Sequence, residues 1–407
     1  MKKQRQKDKK WIKPRHKIIT ALARVVFKPI VKFKYGAKIE PFKEQGNRQY
    51  FVMMNHTTDF DQFFVGCALR GPVYYVASED LFSKGFVSSL LKWAVAPIPI
   101  KKQSTDFRAV MNCIKVAREG GTIAIAPEGN RTYSGKTEYI RPAIAGLAKA
   151  LKLPIAFFKI ESGYGVHPRW SDNTRKGKMR AYVSKVLEFE DYVNLTDDEL
   201  YQIIKQELYV NDAKEVGEFH HKKSAEYLER VLYVCPHCGF TTFESRNDLV
   251  KCKQCNLKFQ YTPTTKFRQI EGDLPFEFVN DWYEYQENFI NSTDITQFIN
   301  EPVYIEEVSL YKVIPYKNKK AVDIATTIKL FGNRIEIDGD TKKTFSFDEL
   351  SAVSVLGRNK LNLYAKDGRW QIKGNKRFNA VKYLHFYYRY NNIKKGDEDG
   401  KLLFLGL

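Results

Sequence analysis

A histidine and an aspartate near residue 55 are spaced so that they could work as a pair. The segment reads Met54-Asn55-His56-Thr57-Thr58-Asp59-Phe60-Asp61. Five residues turn by about 500° on one α-helix, so His56 and Asp61 can meet only if the histidine precedes a helix that holds the aspartate. A carboxylate fixes the tautomer of a histidine, which then suits removal of a proton from a hydroxyl that attacks an acyl carbonyl. Alternatively, Asp61 only stabilises the start of a helix through its charge.

A second polar segment follows a strand-like run farther along the chain. The apolar residues 122–126 lead directly into a charged turn that contains a glycine, Pro127-Glu128-Gly129-Asn130-Arg131-Thr132. Ligands of open α/β sheets usually bind at the carboxyl ends of the strands. The turn is therefore a candidate ligand-binding loop.

The pattern of apolar residues predicts the elements that position these two segments. Short apolar runs predict strands, and helical spacing predicts helices between them. The predicted strands are residues 50–54, 73–77, 122–126, 155–160 and 179–186, and the predicted helices are residues 60–69, 84–95, 107–119 and 140–151. This alternation predicts an α/β domain in which helices cover a largely parallel sheet.

The two segments resemble the signature motifs of the glycerolipid acyltransferase family, and within it of the lysophosphatidate (1-acylglycerol-3-phosphate) acyltransferases. The resemblance covers residues 20–215. The family's Asn-His-x4-Asp motif is matched by Asn55, His56 and Asp61, and its Phe-Pro-Glu-Gly-Thr-Arg-Ser motif by Pro127, Glu128, Gly129 and Arg131. The sequence departs from the second motif at Ala126, Asn130 and Thr132, and it has Lys102 where an intervening block of the family has arginine.

By this resemblance the chain is an enzyme, an acyltransferase that moves a fatty acyl group from acyl-CoA or acyl carrier protein to the free hydroxyl of a lysophospholipid. The acceptor implied is 1-acyl-glycerol-3-phosphate, which gives phosphatidic acid. His56 is then the general base and Asp61 the residue that orients it. The resemblance assigns the acceptor's phosphate, or the shape of that end of the pocket, to Glu128, Gly129, Arg131 and Lys101 or Lys102. Arginine suits this role because it binds phosphate through paired hydrogen bonds.

Four of the six cysteines form two Cys-x-x-Cys pairs, Cys235 with Cys238 and Cys252 with Cys255. In a reducing compartment such pairs indicate metal ligation before disulfides, and four thiolates suit a tetrahedral zinc site. We expect Gly239 and Asn256, which follow the pairs, to adopt positive φ. The segment resembles a zinc ribbon with a structural zinc, and a redox dithiol is the alternative.

The net charge of +20 favours anionic binding partners. Residues 1–34 hold 13 Lys and Arg and one Asp, which is +12 of that total. Within them, apolar residues from Ile18 to Phe27 recur at helical spacing until Pro29 interrupts the pattern. We interpret this segment as a basic amphipathic arm that binds an anionic membrane surface; the alternative is an ordinary helix packed on the domain.

No run of about 18 uncharged apolar residues occurs, so we expect no membrane-spanning helix. The N-terminus also lacks the apolar core and cleavage site of a secretory signal. The sequence therefore predicts a cytoplasmic protein that is peripheral on the inner face of the membrane.

The charge distribution, the apolar patterns and the two resemblances together imply five segments along the chain. Seven strand-like segments and a closing helical pattern near the end resemble the pleckstrin-homology barrel. The predicted segments are a membrane-binding arm (1–34), an acyltransferase domain (35–215), a zinc ribbon (216–265), a connector (266–300) and a β-rich domain with a C-terminal helix (301–407). The rival function is a membrane- or nucleic-acid-binding scaffold that uses the zinc ribbon and the C-terminal domain, with the acyltransferase fold secondary. Nucleic acid is the less favoured partner, because the charge is concentrated away from the ribbon.

Overall fold

The computed structural model describes residues 10–83, 85–101, 106–214, 217–314 and 317–397. The chain divides into two compact units. The first comprises Met1–Asn130, Ile140–Glu161 and Arg180–Tyr209, and the second comprises Arg131–Tyr139, Ser162–Met179 and Val210–Leu407. The segment boundaries predicted at residues 34, 215, 265 and 300 stay predictions.

Helices and strands alternate through residue 209, as the apolar pattern predicts. In chain order they are α1 (Pro14–Tyr35), β1 (Ala37–Ile39), β2 (Phe51–Met54), α2 (Asp61–Ala68), β3 (Val73–Ser78), α3 (Phe86–Ala94), β4 (Ile98–Ile100), α4 (Phe107–Arg118), β5 (Thr122–Ile125), α5 (Ala143–Leu151), β6 (Ile155–Glu161), α6 (Gly163–Val166), β7 (Met179–Leu187), α7 (Phe189–Tyr192) and α8 (Asp197–Leu208). Two 3-10 turns, Lys43–Gln45 and Glu79–Phe82, join some of these elements. The short edge strands β1 and β4 were not predicted, because three residues carry too little pattern to detect.

The seven strands form one sheet in the order β1-β7-β6-β2-β5-β3-β4. β2 pairs in parallel with β5 and β6, β3 pairs in parallel with β4 and β5, and β7 runs antiparallel to β6. Every residue of the central strand β2 is buried, as expected for a parallel strand covered on two faces. The predicted α/β class is confirmed, and β2 and β5 bring the two polar segments to the same edge of the sheet.

Pro29, which interrupts the apolar pattern in the sequence, does not interrupt the helix, because α1 continues through it to Tyr35. A proline inside a helix removes one backbone hydrogen bond and crowds the preceding turn. Packing offsets this cost: Val31 and Tyr35 are buried, and the ring of Phe27 lies 4.0 Å from that of Phe63 in α2. Among the described residues, no helix has the length and apolar character needed to cross a membrane.

The second unit holds two antiparallel modules. Its remaining elements are β8 (Val234–Cys235), β9 (Gly239–Phe240), β10 (Phe243–Arg246), β11 (Leu249–Cys252), β12 (Lys258–Tyr261), β13 (Phe267–Glu271), α9 (Val279–Ser292), β14 (Tyr304–Val313), β15 (Lys320–Leu330), β16 (Arg334–Asp338), β17 (Lys342–Ser346), β18 (Leu350–Leu356), β19 (Lys360–Ala365), β20 (Gly368–Gly374) and α10 (Val381–Lys394), with 3-10 turns at Leu228–Arg230 and Ile295–Phe298. β10 to β13 form a small sheet beside the cysteines, and the last seven strands form another in the order β17-β16-β15-β14-β20-β19-β18. The predicted β-rich region with seven strands and a closing helix is therefore present.

Candidate active site and metal centre

Asn55 fixes the chain where β2 ends. Its side-chain amide donates to the carbonyl oxygen of Ile160 at 2.8 Å, and its Oδ1 accepts from the Ile160 amide at 2.8 Å. This pair of bonds extends the pairing of β2 with β6 beyond Met54 and Phe158, which are its last register partners. Because Asn55 is buried, the backbone that carries the next residue, His56, is held at the edge of the sheet.

His56 and Asp61 meet in the arrangement that the spacing requires. His56 lies before α2, and Asp61 is the first residue of that helix. Nδ1 of His56 is 2.8 Å from Oδ2 of Asp61. The imidazole is 24% exposed, whereas the carboxylate is completely buried. With the Nδ1 proton donated to the carboxylate, the lone pair of Nε2 is left to accept a proton from a substrate.

Asp61 is itself held by its neighbours. It accepts hydrogen bonds from the amide of Thr57 at 2.8 Å, the amide of Thr58 at 3.0 Å and the hydroxyl of Thr58 at 2.6 Å. Hydrogen bonds to the charged form stabilise a buried carboxylate that water cannot reach. Thr58, through its amide and its hydroxyl, therefore supports the acid that contacts His56.

Glu128 lies against the same histidine from the other segment. Its Oε1 accepts the backbone N–H of His56 at 2.7 Å, and only 9% of the residue is exposed. The turn that presents it is closed by a bond from the Gly129 amide to the Ala126 carbonyl at 3.0 Å, and Gly129 has a φ of 68°. A side chain at position 129 would be strained in this left-handed conformation. Glu128 is therefore placed to hold the backbone of His56, a contact that the motif alone did not indicate, and its predicted role at the acceptor's phosphate stays a prediction.

We expect Glu128→Ala to lower kcat by about 10- to 100-fold, the usual effect of losing a hydrogen bond to a charged group. Glu128→Gln keeps an oxygen acceptor for the His56 amide and should keep most of kcat. Steady-state kinetics of the two variants measure this difference. Equal increases in the acceptor's KM, with kcat unchanged in either variant, would show that Glu128 serves only substrate binding.

Three further residues were predicted to bind the acceptor, namely Arg131, Lys101 and Lys102. Arg131 is buried in the second compact unit, where its carbonyl oxygen accepts from Nη1 of Arg169 at 2.7 Å. Lys101 follows β4, and its amide donates to Asp106 at 2.9 Å. β4 is three strand positions from β2, a distance of about 14 Å. Lys102 lies outside the described residues, and the roles of all three stay predictions.

The four predicted metal ligands form one cluster. The Sγ atoms of Cys235, Cys238, Cys252 and Cys255 lie within 4.8 Å of one another, and those of Cys235 and Cys255 are 3.8 Å apart. Four sulfurs bound tetrahedrally to zinc at about 2.3 Å would be about 3.8 Å apart, so this donor set fits zinc. His237 is not part of this group of potential metal ligands, and its Nε2 lies 2.7 Å from the carbonyl oxygen of Asp273.

The two turns of this cluster differ in backbone conformation, and its thiols differ in pKa. Gly239 has the expected positive φ of 71°, but the same expectation is wrong for Asn256. Burial raises the pKa of the Cys235 thiol to about 11. At Cys252 the effect of burial is outweighed by hydrogen bonds, the largest from the Gln254 amide, which lower its pKa to about 7. The remaining cysteines, Cys67 and Cys113, are buried in α2 and α4, and burial raises the pKa of each thiol.

Comparison with known proteins finds a family model and a curated relative that match part of the chain. Residues 36–160 match the family model described as acyltransferase. Over 153 residues, 37% of the chain, the sequence is 28% identical to the 1-acyl-sn-glycerol-3-phosphate acyltransferase of Bacillus subtilis (strain 168) and covers 72% of that protein. In the part that these matches cover, the chain is similar to acyltransferases, and among them to 1-acyl-sn-glycerol-3-phosphate acyltransferases.

Two solved structures are also similar. One is the 1-acyl-sn-glycerophosphate (LPA) acyltransferase PlsC from Thermotoga maritima, at 16% identity and a TM-score of 0.39, with 47% of this chain and 76% of that chain covered. The other is the N-terminal PH domain of human ARAP2, at 11% identity and a TM-score of 0.19, with 22% of this chain and 80% of that chain covered.

Proposed function

We propose that the protein transfers a fatty acyl group from acyl-CoA or acyl carrier protein to the free hydroxyl of 1-acyl-glycerol-3-phosphate, which yields phosphatidic acid. The observation that carries the proposal is the buried carboxylate of Asp61 against Nδ1 of His56, with the imidazole partly exposed. The name of the Bacillus subtilis relative supports the choice of acceptor.

In the proposed reaction, Nε2 of His56 takes the proton of the acceptor's hydroxyl as its oxygen attacks the thioester carbonyl. The carbon–oxygen bond of the new ester forms, and the carbon–sulfur bond breaks. The thiolate that leaves takes the proton from the imidazolium, so His56 returns to its starting state. Arg131, with Glu128, Gly129 and Lys101 or Lys102, is proposed to bind the acceptor's phosphate or to shape that end of the pocket.

The direct test is consumption of an acyl thioester by the purified protein. Palmitoyl-CoA and an acylated carrier protein are each supplied with 1-oleoyl-glycerol-3-phosphate, and free thiol and phosphatidic acid are measured. Equal amounts of thiol and phosphatidic acid support the proposal. A protein that releases neither product with any of these donors is better explained as the membrane or nucleic-acid scaffold.

We also propose that the four cysteines hold one zinc ion. Four thiolate ligands leave no position for water, so zinc would supply folding free energy to this module and no chemistry. The fit of the sulfur spacing to tetrahedral zinc supports this proposal.

We further propose that α1 holds the protein on the anionic inner face of the membrane. Lys17, Lys28 and Lys32 are exposed on this helix beside Ile18, Leu22 and Val25, whose exposed fractions are 64%, 64% and 73%. Deleting residues 1–34 would not test this, because the opposite face of α1 supplies buried residues such as Val31 and Tyr35 to the fold. Changing the exposed lysines does test it.

The triple change Lys17→Gln, Lys28→Gln, Lys32→Gln should weaken binding to anionic vesicles. At about 1 kcal/mol for each cation near the surface, the loss is about 3 kcal/mol, or roughly 10²-fold. Vesicle sedimentation across a salt series measures it, since screening should weaken wild-type binding more than that of the variant. Lys178→Gln, Lys222→Gln, Lys223→Gln makes the same change in net charge elsewhere and is the control. Equal binding by the two triple variants would contradict the assignment.

A further inference from the structure

Helix α3 presents large apolar side chains to solvent. Phe86 is 80% exposed, Val87 51%, Leu90 47% and Trp93 53%. Phe86, Leu90 and Trp93 recur at intervals of four and three residues and therefore share one side of the helix. A contiguous apolar surface of this kind marks a site that another apolar phase covers.

This surface adjoins the exposed stripe on α1. Nε of Arg15 donates to the carbonyl oxygen of Trp93 at 3.0 Å, and the guanidinium lies 5.2 Å from the centre of the Trp93 ring. Ile18, the first strongly exposed apolar residue of α1, is about one helical turn beyond Arg15. The end of α3 and the start of the α1 stripe are therefore neighbours on one surface.

The other end of α1 reaches the catalytic segment. The hydroxyl of Tyr35 is 3.3 Å from Oδ1 of Asp59, and its ring lies 4.9 Å from that of Phe60, the residue before Asp61. Phe33, two residues earlier, is 82% exposed. The apolar surface thus runs from Trp93 along α1 to the side of the loop that holds the His56 and Asp61 pair.

The charges on the two helices that form this surface are positive. α1 carries Lys17, Lys28 and Lys32 at exposed positions, α3 carries Lys92, and the sequences of these two helices contain no Asp or Glu. Aromatic side chains beside Lys and Arg are typical of segments that lie in the headgroup region of a bilayer. A binding partner that matches this surface must be both anionic and apolar. A leaflet that contains acidic phospholipid has both properties.

We infer that Phe86, Leu90 and Trp93 of α3 insert into an anionic phospholipid leaflet and form, with α1, one docking surface that ends beside the catalytic loop. The inference rests on the proposed function in one respect: an acceptor held in the leaflet by its acyl chain would reach His56 along this surface. It assigns membrane contact to a helix outside the basic N-terminal segment.

The test is sedimentation of the full-length protein with vesicles of phosphatidylcholine that contain phosphatidylglycerol, compared with vesicles of phosphatidylcholine alone. Phe86→Ser, Leu90→Ser should weaken binding to the anionic vesicles by roughly 10- to 100-fold, because two apolar side chains no longer enter the bilayer. The matched control is Ile305→Ser, Ile324→Ser, whose side chains are 59% and 73% exposed on β14 and β15. The control should bind like the wild type.

A second measurement follows Trp93 itself. Brominated lipids quench tryptophan that enters the bilayer, so bound wild-type protein should lose more emission than the Trp93→Phe variant, which keeps an apolar ring and its affinity. Equal quenching of these two proteins, or unchanged vesicle binding by Phe86→Ser, Leu90→Ser, overturns the inference. A dimer that is lost in that double variant, with vesicle binding retained, also overturns it and assigns the surface to a second copy of the chain.

Turnover separates this inference from the proposed function. Phe86→Ser, Leu90→Ser should keep wild-type activity on a short-chain, soluble 1-acyl-glycerol-3-phosphate and lose activity on acceptor in vesicles. Wild-type protein that binds vesicles through α3 but turns over neither acceptor would disprove the proposed function and leave the docking surface in place.

Discussion

Replacing His56 with alanine should reduce acyl transfer by about 10² to 10⁴, the usual contribution of a general base. The substitution removes the Nε2 lone pair that accepts the acceptor's proton and leaves the carboxylate of Asp61 buried, where its bonds from Thr57 and Thr58 still hold it. We therefore expect the loss in kcat, with little change in thermal unfolding or vesicle binding. Initial rates of thiol release measure it.

The control for this prediction is His220→Ala, since His220 is an exposed histidine of the second unit and should be neutral. Asp61→Asn should be nearly as damaging as His56→Ala, because an amide cannot hold the imidazole as a carboxylate does. The hydroxyl of Thr58 and the amides around Asp61 would then also face a weaker acceptor. Turnover close to that of the wild type in His56→Ala protein would eliminate the mechanism.

Loss of zinc should have the largest effect on stability. Reduced, carefully purified protein should contain about one zinc per chain, and Cys252→Ser should lose it. Because structural zinc supplies much of the folding free energy of a small module, we expect residues 232–261 to become sensitive to protease in that variant. Elemental analysis and limited proteolysis measure the two effects.

Cys67→Ala is the matched control, because Cys67 is a buried cysteine outside the cluster. It should retain the zinc of the wild type. Acyl transfer should survive at least partly in Cys252→Ser protein, since no cysteine of the cluster is assigned to chemistry. Metal-free wild-type protein with the same protease resistance as the zinc-bound form would refute the structural role.

Much of the site could be predicted from the sequence because its parts are local. The interval between His56 and Asp61 required a histidine before a helix and an acid in its first turn, and α2 begins at Asp61. Two Cys-x-x-Cys pairs bring four thiols together through two tight turns, which needs little of the remaining fold. Short apolar runs of about five residues predicted β2 and β5, whereas β1 and β4, with three residues each, carry too little pattern to be predicted.

Contacts between distant residues were decided only by the tertiary structure. Glu128 supports His56 across 72 positions, and Asn55 binds Ile160 across 105, because β5 and β6 flank β2 in the sheet, an order that apolar periodicity does not encode. The same holds for exposure: the apolar residues of α1 and α3 predict helices equally well whether they are buried or facing solvent. Burial depends on which faces the rest of the fold covers, and here it covers Val31 and Tyr35 and leaves Phe33, Phe86 and Trp93 open.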